Sequence, residues 1–197
     1  METGPDPRRP TSPDKKREPS VKTLYLLRHA KSSWDDLTLP DYERPLAPRG
    51  RKAAPRIGRF LSREGWLPQR VLCSGARRAR QTWDLVSSVL EEEIPAEIRP
   101  DIYHADVGAL LQLIQTLPSS EASALLVGHN PTMEDLARIL AGSSQEKAFR
   151  MMESKYPTGG LAVLDFPGDA WSGVRPGSGH LRAFVRPKDL KRGKGGR

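Results

Sequence analysis

The sequence has little of what several protein classes require. Cys73 is the only cysteine among the 197 residues, which excludes a disulfide framework within the chain and favours a reducing, cytoplasmic environment. No apolar run approaches the ~20 residues of a membrane-spanning helix. No apolar segment follows Arg8 and Arg9, so we expect neither a membrane anchor nor a secretory signal. The four histidines show no HExxH spacing and, with one cysteine, form no closed ligand set, so we expect no metal and no cofactor.

The chain also lacks a broad basic surface, although its formal net charge is +8. Residues 23–181 hold nineteen basic and nineteen acidic side chains, so the whole excess lies in the two ends. Dedicated DNA- and RNA-binding domains carry their basic residues on the folded surface. The charge distribution therefore predicts no specific nucleic-acid partner.

The two ends differ in composition from the middle of the chain. Residues 1–20 are rich in proline and charge and nearly free of apolar side chains, and we expect a disordered tail there. Residues 188–197 are basic and glycine-rich, which predicts a second, flexible tail. These tails either favour solubility or tether the chain to an acidic partner. Between them, residues 21–187 are predicted to form one domain, large enough to bury a core of its own.

Strand and helix signals alternate through the predicted domain. The predicted strands cover 21–27, 70–74, 96–103, 124–129, 160–166 and 180–186, and the predicted helices cover 49–64, 77–93, 107–117 and 131–141. Pro55 lies inside the first helix, where it either occupies the first turn or bends the helix. The alternation predicts an α/β fold, namely a three-layer α/β/α sandwich around a mostly parallel central sheet.

Polar side chains follow the ends of the predicted strands, where ligands of such sheets bind. They are Arg28 and His29 after the first strand, Ser74 and then Arg78 after the second, His104 after the third and His129 after the fourth. A neutral imidazole is a competent nucleophile toward phosphorus. Arginine is permanently charged and forked, which suits it to binding phosphoryl oxygens. These residue types therefore predict a phosphoryl site that needs no metal.

Three sequence stretches resemble motifs of a known family. LYLLRHAKSSW at 24–34 resembles the Arg-His signature of the histidine phosphatase superfamily, which has the phosphoglycerate-mutase-like fold. SGARRARQT at 74–82 is similar to the family's second motif, and LLVGHNPTMEDL at 125–136 is similar to its second-histidine motif. The stretches RHAKSSW, ERPLAPRG and VGHNPT are most similar to the compact SixA-type phosphohistidine phosphatases.

This resemblance implies catalytic roles for four residues. His29 would be the nucleophile, Arg28 and Arg78 would hold the phosphoryl group, and His129 would be the second phosphate-binding histidine. The implied roles agree with those expected from the chemistry of the side chains.

The sequence departs from the broader family near the nucleophile. Lys31 stands where many members have a glutamate, and it is expected to add positive charge to the substrate-binding mouth of the site. Asp35 stands where many members have a phosphate-contacting asparagine, and we expect it to point away or to interact with Lys31. Trp34 could form a wall of the pocket.

The proton donor is left open by the sequence. His104 lies nearest the position where many members have a glutamate, and it is a candidate acid. Asp106 is the other candidate, although a helix N-cap is the role that its position favours. A weak or absent acid would suit a phosphohistidine substrate, because imidazole leaves more readily than an alkoxide.

Together these features predict a metal-independent phosphatase that works through a phosphohistidine intermediate, acting on a phosphorylated protein or a small phosphorylated molecule. A SixA-type protein phosphohistidine phosphatase is favoured; a phosphatase of sugar or nucleotide phosphate esters and a non-catalytic phosphate-binding adaptor are the alternatives. The chain is short of insertions, so an open site and hydrolysis are expected rather than mutase action. Cys73 is predicted to be a buried core residue, because it lies in an apolar strand. The residues after it lack the glycine-rich phosphate loop of cysteine phosphatases, so we do not expect a thiol nucleophile. The oligomeric state is not predicted.

Overall fold

The structure is a computed structural model and describes residues 20–190. Residues 1–19 and 191–197, which carry most of both predicted tails, lie outside the described residues. Within the described range, no helix combines the length and the apolar character that crossing a membrane requires.

Seven strands and five helices follow one another along residues 20–190. The strands are β1 (Val21–Arg28), β2 (Arg70–Ser74), β3 (Ala96–Arg99), β4 (Ser123–Gly128), β5 (Ala141–Ser144), β6 (Leu161–Pro167) and β7 (Gly179–Val185). The helices are α1 (Pro48–Glu64), α2 (Arg77–Ser87), α3 (Val107–Gln115), α4 (Thr132–Leu140) and α5 (Glu146–Ser154). Short 3-10 turns lie at Asp41–Glu43, Pro100–Tyr103 and Trp171–Gly173.

The seven strands form one sheet in the order β3-β2-β4-β1-β6-β7-β5. β1, β2, β3 and β4 pair in parallel, and β5 is parallel to β7. β6 pairs antiparallel with both β1 and β7. Because β6 alone runs against the other strands of this sheet, the prediction of a mostly parallel sheet is confirmed.

Helices cover both faces of the sheet. Leu24 and Leu26 of β1 pack with α3, α4 and α5, whereas Tyr25 and Leu27 pack with α1 and α2. Alternate residues of a strand point to opposite faces, so β1 contributes to two separate apolar cores. This arrangement is the predicted three-layer sandwich, and it leaves the strand ends free to form a site.

Helix α1 shows how the local sequence sets an element's limits. Pro48 occupies its first turn, and Gly65 ends it with a left-handed φ of 67°, donating its N–H to the carbonyls of Leu61 and Ser62. Pro55 lies inside the helix, seven residues after its first residue, so the first of the two alternatives given for it, a place in the first turn, is wrong.

Two predicted elements are shorter in the structure. α2 ends at Ser87 rather than at residue 93. Residues 91–93 are three glutamates, which a helix C-terminus disfavours because it carries partial negative charge. β3 ends at Arg99 rather than at residue 103, because Pro100 begins a 3-10 turn and has no N–H to donate to a sheet.

β5 and α5 were not predicted from the sequence. β5 has the sequence AGSS, which carries no strand signal, and it follows α4 directly. It forms by pairing with β7, so a tertiary contact stabilises it rather than its own propensity. α5 is short, and only two of its residues, Ala148 and Met152, are buried. Its sequence therefore has only a weak helical periodicity of apolar residues.

Candidate active site

The carboxyl ends of β1, β2 and β4 bring the scattered polar residues together. The N–H of His29 donates to the carbonyl of Gly128 at 3.0 Å, which joins the end of β1 to the end of β4. The rings of His29 and His129 lie 5.0 Å apart, centroid to centroid, at an angle of 49°. Residues separated by a hundred positions in sequence thus face each other at one edge of the sheet.

His29 has its ring fixed by its own neighbour. Its Nδ1 lies 2.7 Å from the carbonyl oxygen of Ala30, and the side chain is buried, with 8% of the residue exposed. A carbonyl accepts only, so Nδ1 carries the hydrogen and the lone pair lies on Nε2. Burial, and then the proximity of His129, lower the pKa of His29 to about 3. The ring is therefore neutral at physiological pH, with Nε2 available as a nucleophile.

His129 is held from the opposite side by Ser74. Its Nε2 lies 2.8 Å from the Oγ of Ser74, which is fully buried at the end of β2. Its Nδ1 is buried and has no hydrogen-bond partner. Burial, followed by the positive charge of Arg78, lowers the pKa of His129 to about 4. Nδ1 of His129 is thus a polar atom whose partner has to come from a ligand or from water.

Arg28 lies beside the two histidines and is also incompletely bonded. Its Nη1 donates to the main-chain carbonyl of Tyr156 at 2.6 Å, whereas its Nε is buried without a partner. Tyr156 is itself fixed, because its hydroxyl donates to the carbonyl of Leu26 at 2.6 Å. Burial lowers the pKa of Arg28. An arginine with a free buried donor is suited to bind an anion.

Arg78 is bound by Asp41, a residue that the sequence analysis did not single out. Nη2 of Arg78 donates to Oδ2 of Asp41 at 2.8 Å, and Nη1 donates to the main-chain oxygen of the same residue at 2.5 Å. Asp41 lies on the 3-10 turn between β1 and α1 and is half-exposed, while Arg78 is buried.

Asp41 connects further groups around the site. The hydroxyl of Tyr103 donates to Oδ2 at 2.6 Å, and Nη1 of Arg44 donates to Oδ1 at 2.7 Å. The hydrogen bonds from Tyr103 and from Arg78 lower the pKa of Asp41 to about 2, so it is ionised at neutral pH. The Tyr103 ring packs edge-on against His129, with centroids 5.3 Å apart. The only sequence signal for Asp41 is its place in the polar loop after His29.

The RARQT stretch at the start of α2 anchors the loop that follows His29. The Oγ1 of Thr82 accepts from the N–H of Ala30 at 2.9 Å and donates to the carbonyl of Arg78 at 2.6 Å. The side chain of Gln81 accepts from the N–H of Leu46 at 2.8 Å. Thr82 therefore links Ala30, the residue after His29, to the main chain of Arg78.

Other residues predicted near the mouth of the site lie at its surface. Lys31 is exposed, and its main-chain oxygen accepts from Ala47 at 2.9 Å. Asp35 is exposed too, and the structure contains no ion pair between its carboxylate and Lys31 among the described residues. Trp34 is 61% exposed and stacks on the guanidinium of Arg44, whose Cζ lies 3.2 Å from the ring centre.

The two proton-donor candidates are in different environments. Asp106 caps α3, because its Oδ1 accepts from the N–H of Ala109 at 2.8 Å, which confirms the N-cap prediction. His104 is exposed and packs on the Tyr103 ring, with centroids 4.3 Å apart. The Tyr103 ring therefore contacts both the exposed His104 and the buried ring of His129.

Cys73 is buried in the core next to Ser74, as predicted. Burial raises the pKa of its thiol to about 12, so the thiolate that a nucleophile requires is not populated at neutral pH. Among residues 20–190, no cluster of three or more histidine, cysteine or acidic side chains has the arrangement of a metal site.

Comparison with known families gives a match over about half of the chain. A family model described as the histidine phosphatase superfamily (branch 1) matches residues 24–121. An uncharacterized protein of Mycobacterium tuberculosis is 38% identical over 165 residues, covering 82% of this chain and 100% of that protein.

Solved structures extend the likeness over the remainder of the domain. A structure from Agrobacterium tumefaciens, provisionally assigned as phosphohistidine phosphatase SixA, is 30% identical with a TM-score of 0.70, covering 84% of this chain and 99% of that one. A structure from Nakamurella, with the same provisional assignment, is 28% identical with a TM-score of 0.72 and covers 86% of this chain and 99% of that one.

Proposed function

The chain belongs to the histidine phosphatase superfamily, and from this premise we propose that it hydrolyses phosphohistidine in a protein through a phosphoenzyme formed on His29. One observation carries the proposal. Two buried nitrogens, Nε of Arg28 and Nδ1 of His129, lack partners beside a neutral imidazole whose lone pair is on Nε2. Burying such nitrogens without hydrogen bonds costs free energy, and phosphoryl oxygens would accept a hydrogen bond from each of them.

The first step transfers the phosphoryl group to the enzyme. Nε2 of His29 attacks phosphorus in line, and the bond between phosphorus and the substrate nitrogen breaks. The electron pair of that bond leaves with the substrate imidazole, which takes a proton from solvent. Arg28, Arg78 and His129 stabilise the charge on the equatorial oxygens without changing position.

The second step regenerates the enzyme. A water molecule attacks phosphorus, the bond from phosphorus to Nε2 of His29 breaks, and its electron pair returns to the imidazole. The products are orthophosphate and the neutral His29 ring. Both leaving groups are imidazole nitrogens, so neither step needs the strong acid that an alkoxide would require. This agrees with the exposed position of His104, the candidate acid that packs on Tyr103.

A protein substrate is supported by the surface beside the site. Trp34 and Leu37 are 61% and 82% exposed, the two highest values among the large apolar side chains of the described residues. Both lie on the loop that connects His29 to Asp41, where a docked protein would cover them. A small ester substrate would leave them in water.

We further propose that residues 21–187 constitute the catalytic domain, that the enzyme acts in the cytoplasm and that it needs no metal. Arg28 and Arg78 supply the positive charge that a divalent cation provides in other phosphatases. Activity should therefore be unchanged when a chelator is added to the assay.

A kinetic comparison of substrates tests the proposed function. A phosphohistidine peptide, a sugar phosphate and a nucleoside monophosphate are supplied at matched concentrations, and kcat/KM is measured for each. We expect the phosphohistidine peptide to have the highest value by at least an order of magnitude. A preference of that size for one ester would overturn the substrate assignment, and phosphopeptide binding without turnover would indicate an adaptor.

A further inference from the structure

A second, strongly basic cavity of about 410 Å³ lies beside the candidate active site. Eleven residues line it, and six of them are lysines or arginines; none is acidic. The six are Lys31, Arg49, Lys52, Arg56, Arg186 and Lys188. We call this cavity, with these six side chains in its lining, the basic pocket. The sequence did not predict this pocket, because its six basic side chains come from three segments that are far apart in the chain.

Most of these charges are uncompensated within the described residues. Arg186 donates from Nε to Asp189 at 2.6 Å, and Arg56 donates to the carbonyl of Pro187 at 3.3 Å. Lys31, Arg49, Lys52 and Lys188 are exposed and form no ion pair with the acidic side chains of residues 20–190. The first turn of α1, which carries Arg49, contains no acidic residue either. Like charges gathered in one cavity repel one another, so an anionic ligand would stabilise the arrangement.

The basic pocket is connected to the nucleophile through the backbone on two sides. Lys31 follows His29 by two residues, a distance of at most about 7 Å between their Cα atoms. Thr158, which also lines the pocket, precedes Gly159, whose N–H donates to the carbonyl of His29 at 3.0 Å. A chain that places its phosphorylated side chain on His29 can therefore reach the pocket with residues only a few positions away.

We infer that the basic pocket binds acidic side chains that flank the phosphorylated residue of a protein substrate; this inference rests on the proposed function. Four of the other lining residues are Pro48, Ala53, Pro157 and Pro187, which give the pocket an apolar component. Glutamate fits both parts, because its methylene groups pack on apolar atoms while its carboxylate meets the lysines and arginines. A free phosphate ion would use only the charges.

Two double variants distinguish an effect of the basic pocket on substrate binding from an effect of surface charge in general. R49Q/K52Q removes two charges from the pocket, and R51Q/R59Q removes two from the same helix outside it, where both side chains are exposed. The substrates are two phosphohistidine peptides, one flanked by glutamates and one by glutamines. We expect R49Q/K52Q to raise KM for the glutamate peptide about fivefold to tenfold, without changing kcat for either peptide. R51Q/R59Q should behave as the wild type.

A binding measurement keeps the inference independent of turnover. An unphosphorylated, fluorescently labelled form of the glutamate peptide is titrated with the wild type and both variants at low salt and at about 0.2 M salt. If R49Q/K52Q alone binds the peptide more weakly than the wild type, and if salt reduces this difference in affinity, the proposed role of the basic pocket is supported. Equal effects of the two variants on KM and on binding would overturn it.

The two proposals fail in distinguishable ways. If no phosphohistidine peptide is hydrolysed while R49Q/K52Q still weakens binding of the glutamate peptide, the substrate assignment is wrong and the pocket remains an acidic-peptide site. If R49Q/K52Q instead impairs only a bisphosphorylated small molecule, the pocket is a second phosphate subsite and the inference is wrong.

Discussion

Asp41 holds the guanidinium of Arg78 at two nitrogens, with Nη2 donating to its carboxylate at 2.8 Å and Nη1 donating to its main-chain oxygen at 2.5 Å. The same carboxylate accepts from Tyr103 and Arg44. Asp41 carries a negative charge and would repel phosphate itself, but it fixes the orientation of Arg78, the arginine that we propose to bind the phosphoryl group. Orientation of this kind lets a charged group stabilise a transition state without rearranging during the reaction.

Replacing Asp41 by asparagine should impair catalysis while leaving the fold intact. Loss of the charge leaves Arg78 less well fixed, so we expect kcat/KM for phosphohistidine to fall about tenfold or more. Asp36 lies in the same loop, is exposed and bonds only to Thr38 among the described residues, so D36N is the matched control. An equal kinetic loss in D41N and D36N would contradict the positioning role.

Removing the Ser74 hydroxyl should affect the second histidine. S74A deprives Nε2 of His129 of its partner at 2.8 Å in a fully buried position. We expect KM for the phosphorylated substrate to rise about fivefold to tenfold, because the ring loses its fixed orientation. S88A removes an exposed hydroxyl near the end of α2 and should leave KM unchanged.

Thr82 should matter for stability and activity together. T82V leaves the N–H of Ala30 buried without an acceptor, which costs about 1–3 kcal/mol in the free energy of unfolding. The residue after the nucleophile then moves, so kcat should fall as well. T82S keeps the hydroxyl and should restore both quantities in urea unfolding and steady-state assays. Failure of T82S to restore kcat would argue against the hydrogen bond as the cause.

The two site histidines should destabilise the protein at low pH. Their pKa values in the folded state are about 3 for His29 and about 4 for His129, against 6.5 in the unfolded chain. Between pH 6.5 and pH 3 the unfolded chain binds more protons than the folded protein does. The free energy of unfolding therefore falls as the pH falls from 6.5 toward 3.

Urea unfolding at pH 7 and pH 5 measures this loss. H29Q should lose less stability than the wild type over that interval, because it lacks one of the two histidines whose pKa is lowered in the folded state. Identical losses in H29Q and the wild type would show that His29 does not titrate as described.

The sequence predicted the site residues that follow the carboxyl ends of strands, because a parallel sheet brings these strand ends together at one edge. Arg28, His29, Arg78 and His129 were found in this way, and the structure brings all four to one edge. Asp41 was missed because its role depends on where a loop folds back, which no periodicity encodes.

The same limit explains the remaining differences between sequence and structure. β5 exists only through pairing with β7, and the basic pocket combines residues from the loop after β1, from α1 and from the segment after β7. Only tertiary structure shows these contacts. Lys31 was assigned by the sequence to the mouth of the phosphoryl site, and the structure places it on the wall of the basic pocket.

The phosphoenzyme is the most direct test of the account. The enzyme is mixed with a ³²P-labelled phosphohistidine substrate and quenched within the first turnover. Peptide mapping identifies the labelled residue, and chromatography against the two phosphohistidine isomers after alkaline hydrolysis identifies the ring nitrogen. We predict label on Nε2 of His29, because Nδ1 is committed to the carbonyl of Ala30, and no label in H29A. Label on Nδ1 of His29, on Cys73, or on no residue while phosphate is released would contradict the mechanism.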